Sequence, residues 1–456
     1  MKSPYMTSRF ERFSYGLYFL GQNIFYMFVL MFLIVYFTDI GIPAATVAIV
    51  SLAVKVWDAV NDPIFGGVVD GVKLKKGKFL PWLRISLIMI PLATIALFAI
   101  PSGLPVVAKV TWAVFAYMLW DTAYTICDVP IFGLVTTMTN NQAERTSVMA
   151  IGRVFGLAAA IIISVLVPIV RQAIGGWLPT AIVLSIIALV TMAPVCFSAK
   201  ERIAPSAAEK GISIKEMSRF VLGNKYMLIF YCAILVYSSL NISMALGMYF
   251  ARYCLGDESM FSILSIAGIL PGIVLGAFIP AMSRKLDKFH IFFWSLVASA
   301  AVGIVLFFVG YSNLTMFLIV TFIRSVPIGA IGVLTLMFTP DFVEYGTYKT
   351  GINASGTAFA VQTFTVKLMA AIATALGAAT LAAIGFVESE GAVQAASFAD
   401  KLWNAYILIP ILGSVIAIPI LLKYKLRDKD VQIMARANQN EISREEADAL
   451  LAAWID

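Results

Sequence analysis

Apolar residues in this chain come in long, nearly unbroken runs separated by short charged stretches. That pattern predicts membrane-spanning helices, since a hydrocarbon layer of about 30 Å needs about 20 consecutive apolar residues in helical form. About twelve runs meet the criterion, near 13–37, 43–71, 80–100, 107–138, 148–172, 178–197, 225–251, 260–283, 289–309, 313–338, 353–386 and 402–423. They divide evenly around 198–224, a polar stretch that reads as a linker with a short amphipathic helix. The expected fold is therefore an all-α integral membrane protein of twelve transmembrane helices in two six-helix halves. The halves run over 1–197 and 225–424, with a cytoplasmic middle loop at 198–224 and a tail at 425–456. Ser443 and Glu446 open an Ala/Leu-rich run in the tail that predicts a capped helix outside the bilayer.

Composition agrees: 61% of residues are hydrophobic and 13% charged, against about 25% charged in soluble domains. Lys and Arg concentrate in alternate loops, after the second run (Lys73, Lys75, Lys76, Lys78), the sixth (Lys200, Arg202, Lys210, Lys215, Arg219), the eighth (Arg284, Lys285, Lys288) and the last (Lys423, Lys425, Arg427, Lys429). Cytoplasmic loops carry this excess, so both termini are expected to be cytoplasmic. The net charge of +7 then needs no nucleic-acid partner, and no motif for one is present. The first run is too long, and lacks a small-residue cleavage site, for a removed signal peptide. Cys127, Cys196, Cys232 and Cys254 have no metal-ligand or paired spacing. His290, the single histidine, lies beside a basic loop and reads as a solvated loop residue. Short loops leave no room for a catalytic domain, so an enzyme is not expected.

Charges inside the spans carry the chemistry, because an Asp at the centre of a spanning helix costs about 2.5–3.5 kcal/mol on insertion scales. Lys55, Asp58 and Asp62 share one face of the second helix, at spacings of three and four. Asp121, Thr125 and Asp128 repeat that pattern on the fourth. Asn23 in the first helix and Lys367 in the eleventh fall at comparable depth, which predicts a shared central cavity where Lys367 and the carboxylates meet. Lys55 with Asp58 also reads as a self-neutralising intrahelical pair, and Asp121 as a structural bond to a neighbouring helix. Asp58, Asn61, Asp62 and Thr125 offer only oxygen donors, two of them anionic, which suits a hard cation. The amide and hydroxyl favour Na⁺ or Li⁺, while a proton needs one carboxylate alone; no cofactor is called for. Trp120, Tyr124 and Phe132 supply flat surfaces of the kind a sugar ring stacks on, although aromatic residues in spans commonly serve packing.

Several segments resemble signatures of the glycoside-pentoside-hexuronide:cation symporters. They are Trp57-Asp58-Ala59-Val60-Asn61-Asp62-Pro63, Gly77-Lys78-Phe79-Leu80-Pro81-Trp82, Tyr124-Thr125-Ile126-Cys127-Asp128-Val129-Pro130 and Glu344-Tyr345-Gly346-Thr347-Tyr348-Lys349-Thr350-Gly351. The resemblance covers all twelve spans, and duplicated six-helix halves with a long central loop are the major-facilitator arrangement. It implies sugar import coupled to Na⁺, Li⁺ or H⁺ by alternating access. Carried over by position, the cation site is Asp58, Asn61, Asp62 and Thr125. The sugar side is Asp128 and Arg153, with Asn23, Trp120, Tyr124 and Phe132, and with Lys367 of the run Gln362-Thr363-Phe364-Thr365-Val366-Lys367. The chain departs from the melibiose-permease pattern at Gln22-Asn23, where those relatives carry Lys-Asp, and at Phe132, where they carry Trp. A galactoside preference therefore does not follow.

The resemblance also covers carriers of other cargo, such as lysolipids, and a non-transporting sensor would fit the same helices. The expected partners are a sugar, a coupling cation and the bilayer, with the tail as a surface for a cytoplasmic regulator. The expected location is a bacterial inner membrane.

Overall fold

The computed structural model describes residues 6–71, 77–203, 214–276, 278–283, 285–389 and 391–451, which are helical almost throughout. The first six long helices are α1 (Arg9–Asp39), α2 (Ala44–Gly71), α3 (Leu80–Leu97), α4 (Val106–Met138), α5 (Gln142–Ile174) and α6 (Trp177–Ser198). After α7 (Ile214–Gly223) come α8 (Lys225–Ser239), α9 (Ser243–Tyr253), α10 (Met260–Gly276), α11 (Ile279–Met282), α12 (Lys288–Val309) and α13 (Leu314–Met337). The chain continues through α14 (Thr339–Thr350), α15 (Ser355–Ala383) and α16 (Phe398–Leu421) into two tail helices, α17 (Asp428–Asn438) and α18 (Arg444–Leu451). Among the described residues, nine helical segments are long and apolar enough to cross a membrane. α2 and α4 are not in that set, and they carry the polar residues singled out above.

Two compact units are present: Met1–Ala207 with Met248–Ile263 and Gly377–Phe398, and Ala208–Gly247 with Leu264–Leu376 and Ala399–Asp456. In the first, α1 is the central strut, buried along most of its length and packed against α5 and α6. Small residues permit the approach. A Cβ on Gly21 would sit 2.4 Å from Thr191 Oγ1 and 2.6 Å from the Ala188 carbonyl, and one on Gly152 would sit 2.9 Å from the Phe19 ring. Helices in lipid gain little from apolar burial against each other, so close contact at small residues supplies the attraction. α1 starts on a capping box in which the Ser8 hydroxyl accepts from Glu11 N–H and the Glu11 carboxylate accepts from Ser8 N–H at 2.8 Å.

Each end of this unit is tied by buried polar groups. At one end the Glu144 carboxylate accepts from Thr7 N–H at 2.8 Å, from Met6 N–H at 3.0 Å, and from the Thr139 hydroxyl at 2.6 Å. Burial raises the Glu144 pKa, but hydrogen bonds from Thr139 and Thr7 overcome it and hold the group at about 2. At the same end Glu201 accepts from the N–H groups of Lys78, Phe79 and Leu80, at the start of α3. At the other end Asp39, where α1 stops, lies 3.2 Å from Arg171 and 2.7 Å from Arg252, and Arg252 reaches Glu258 at 2.7 Å. Arg171 also pairs with Glu258 and stacks over the Trp177 ring at 4.5 Å, while the Trp177 indole donates to Asp39 at 2.9 Å.

In the second unit α7, the amphipathic helix of the middle loop, buries Phe220 against Gly346 of α14, where an added Cβ would lie 2.3 Å from the ring. α17 and α18 pack under α14. Asn438 donates to the Glu344 carbonyl at 2.9 Å, Arg444 to the Tyr348 carbonyl at 2.8 Å, and the Tyr348 hydroxyl to Asp448. The Ser443 hydroxyl accepts from Glu446 N–H at 3.1 Å, which caps α18.

Removing one charge from a buried pair leaves the other unpaired and costs about 3–5 kcal/mol. Asp39→Asn should therefore lower the Tm of the detergent-solubilised protein by several degrees, and an unchanged Tm would show the cluster to be solvated. Glu144 gives a pH test: its depressed pKa adds stability above the unfolded value near 4.5, lost as pH falls toward 2. Glu144→Gln should flatten that acid limb of a Tm-against-pH series.

Candidate functional site

α2 and α4 pack side by side and bring together the polar faces that their three-and-four spacings create. The Lys55 ammonium lies 3.4 Å from Asp58 Oδ2, on its own helix, and 3.8 Å from Asp121 Oδ1 on α4. Asp58 and Asp121 are buried, at 6% and 3% exposure, while Lys55 keeps a quarter of its side chain accessible. One turn further along, the Asn61 amide donates to Thr125 Oγ1 at 2.9 Å, and that hydroxyl donates to the Asp121 carbonyl at 3.2 Å. Trp57 adds a third link between these helices by donating to the Thr122 hydroxyl at 3.0 Å. Asp62 belongs to α2, but its side chain lies outside the described residues. The result is a buried row of carboxylate, amide and hydroxyl oxygens in which the Lys55 ammonium serves as a counter-charge.

A second cluster adjoins along α4. Gln22 of α1, only 1% exposed, donates through Nε2 to Asp128 and to the Tyr124 hydroxyl at 3.3 Å, and its own Oε1 has no hydrogen-bond partner among the described residues. Tyr124 stacks on Trp120 with ring centres 5.4 Å apart and planes 15° apart, and meets Tyr26 of α1 at 5.3 Å. Trp120 is buried and its indole donates to Thr94 at 3.0 Å, so it backs Tyr124, which is half-buried. Pro130, one turn beyond Ile126, leaves the carbonyl of that residue without its helical donor.

The remaining candidates are placed as follows. Asn23 donates to the Phe19 carbonyl of its own helix at 2.8 Å and packs on Gly156. Phe132 is 44% exposed and meets the Phe19 ring edge-on at 5.3 Å. Arg153 is exposed on α5, and no carboxylate among the described residues forms an ion pair with it. Lys367, Gln362 and Thr363 lie on α15 in the second unit. There the Gln362 carbonyl oxygen accepts from the Thr339 hydroxyl, which also bonds Tyr231 at 2.8 Å, and Thr363 donates to the Phe359 carbonyl at 3.0 Å. Among the described residues no three of His, Cys, Asp and Glu converge on one point. Two roles are not given by the sequence: Gln22, noted there only as a departure from the melibiose-permease pattern, as the partner of Asp128, and Lys55 as a bridge to Asp121. The available signal for Gln22 was an amide in an apolar helix one residue from Asn23.

A family model described as MFS/sugar transport protein matches residues 14–428. The isoprimeverose transporter of Lactiplantibacillus pentosus is 25% identical over 94% of this chain and 91% of its own. The glucuronide carrier protein homolog of Escherichia coli (strain K12) is 26% identical over 88% of each chain. The lactose permease of Leuconostoc lactis is 26% identical over 92% of this chain and 70% of its own. Among solved structures, the nucleoside transporter NupG superposes with a TM-score of 0.65 at 12% identity, over 92% of this chain and 100% of that one.

Lys55→Met removes a counter-charge shared by two buried carboxylates and should destabilise by about 3 kcal/mol. Combined with Asp121→Asn it should cost less than the sum of the single changes, because each loss removes the need for the other. Strict additivity in a double-mutant cycle of Tm values would mean that the two groups do not interact.

Proposed function

Because the chain belongs to the MFS/sugar transport protein family, we propose that it is a multi-pass secondary-active carrier that imports a glycoside or short oligosaccharide with Na⁺. The bacterial relatives support an inner-membrane location. The observation that carries the cation half is the buried link between α2 and α4 through Lys55, Asp58, Asp121, Asn61 and Thr125. Asp58 carboxylate, Asn61 carbonyl and Thr125 hydroxyl oxygens are hard donors that suit Na⁺ or Li⁺. An entering cation competes with the Lys55 ammonium for Asp58, so its arrival redistributes charge between the two helices.

The sugar half rests on the adjoining cluster. Asp128 accepts hydroxyl protons, the Gln22 carbonyl oxygen is an acceptor without a partner among the described residues, and the Tyr124 ring offers a face to an apolar sugar surface. Asp121, Thr125 and Asp128 stand on one face of α4, so a cation that orders this helix also orders Asp128. Coupling of this kind is typically about 1–3 kcal/mol and reciprocal, so sugar tightens cation binding by the same factor. One cation moving down about 100 mV supplies about 2.3 kcal/mol, which drives about fiftyfold accumulation through alternating access.

Equilibrium binding of a glycoside panel with and without Na⁺ tests this reading. One glycoside should bind about fivefold tighter or more in Na⁺, and Asp58→Asn should abolish that response while leaving weak sugar binding. A Na⁺ response that persists in Asp58→Asn removes that residue from the cation site. A response to pH alone assigns the coupling to protons, and absence of binding by any glycoside overturns the sugar reading.

A further inference from the structure

Two cavities in the second unit share part of their lining on the side of the basic loops. One is an apolar groove of about 690 Å³ over α10, α11, α12 and α13, walled by Leu275, Phe278, Met282, Trp294 and Pro327. The other is a polar basin of about 860 Å³ where α12 begins, bordered by Lys285, Lys288, His290, Arg427 and Lys429 with Asp287, Asp341 and Asp428. Leu286, Asp287 and His290 line both. The groove wall is accessible: Phe278 is 59% exposed and Trp294 63%.

Charge in the basin is not balanced internally. Lys288 is committed to Asp341 at 2.7 Å and Asp428 at 3.1 Å, and Arg427 stacks over the Phe289 ring at 4.1 Å. Asp287 accepts from the N–H groups of Phe289 and Asp428 and lies 3.4 Å from His290 Nδ1. Among the described residues no carboxylate pairs with Lys285 or Lys429, so four Lys and Arg side chains face three aspartates. The site is thus apolar along the spanning part of α12 and cationic at its mouth.

We propose that this composite cavity binds one anionic phospholipid of the leaflet on the basic-loop side. The acyl chain lies along the groove past Trp294, and the headgroup phosphate sits between Lys285, His290 and Lys429. Dimensions and polarity both favour a lipid: a flat apolar helix face would hold any chain, whereas a groove ending in unpaired ammonium groups selects for a charged head. Trp294 stands about one and a half turns inside the start of α12, at a depth where tryptophan marks the boundary of the hydrocarbon layer. Arg427 and Asp428 belong to the start of the tail, so a bound headgroup rests against the joint between α12, α14 and α17.

Trp294 also supplies the readout. The full-length carrier is reconstituted in phosphatidylcholine vesicles carrying a small fraction of lipid with brominated chains, which quench tryptophan on contact. Brominated phosphatidylglycerol should quench more than brominated phosphatidylcholine at equal mole fraction, and the excess should vanish in Trp294→Phe. Lys285→Gln and Lys429→Gln should each raise the phosphatidylglycerol needed for half-maximal excess quenching about fivefold, whereas Lys285→Arg should not. Equal quenching by both lipids, or excess quenching that survives Trp294→Phe, overturns the proposal. So does loss of the excess on adding millimolar inorganic phosphate, which would assign the basin to a free anion.

Discussion

The Lys55 ammonium, held against Asp58 of its own helix and Asp121 of the next, is the contact on which the polar centre of the first unit depends. Carboxylates at such depth are stable only when paired, and the pairing dictates how α2 and α4 are rotated toward each other. Once that rotation is set, Asn61 meets Thr125, Trp57 meets Thr122, and Asp128 faces Gln22. An intrahelical pair of Lys55 and Asp58 would have left α4 free to turn. Because the ammonium also reaches Asp121, a change at one carboxylate is felt at the other helix.

The aromatic and amide groups along α4 take their positions from packing that involves no charge. Gly21 lets α1 press onto α6, and Gln22 follows it directly in the chain, so the depth and direction of that amide are consequences of a missing methyl group. A Cβ at Gly21 has nowhere to go except into the Ala188 carbonyl, and the displacement would be passed to Gln22 and then to Asp128. Gly152 performs the same service where α5 meets Phe19.

Much of this was legible beforehand and some was not, for physical reasons. Long apolar runs fix helix extent closely, as the limits of α12 and α13 show against the runs 289–309 and 313–338, because hydrocarbon thickness leaves little latitude. Spacings of three and four likewise assigned Asp58 and Asn61, or Asp121 and Thr125, to common faces. Rotation about the helix axis was not legible. Gln22 and Asn23 are neighbours about 100° apart around α1, and a helix apolar on every side offers no period to tell which one faces Asp128. The break between α8 and α9 at Leu240–Ile242 was hidden for a similar reason, since the apolar run continues across it. The carboxylates of the Asp39 and Glu258 cluster are distant in sequence and flank spans, where charge is unremarkable.

That cluster has an electrical consequence. Two guanidinium groups, Arg171 and Arg252, meet two carboxylates, Asp39 and Glu258, so the assembly is neutral and can be carried through a membrane field as a body without electrical work. A transmembrane voltage therefore leaves the Asp39 end of this unit mechanically indifferent, whatever force it exerts on the charged groups between α2 and α4.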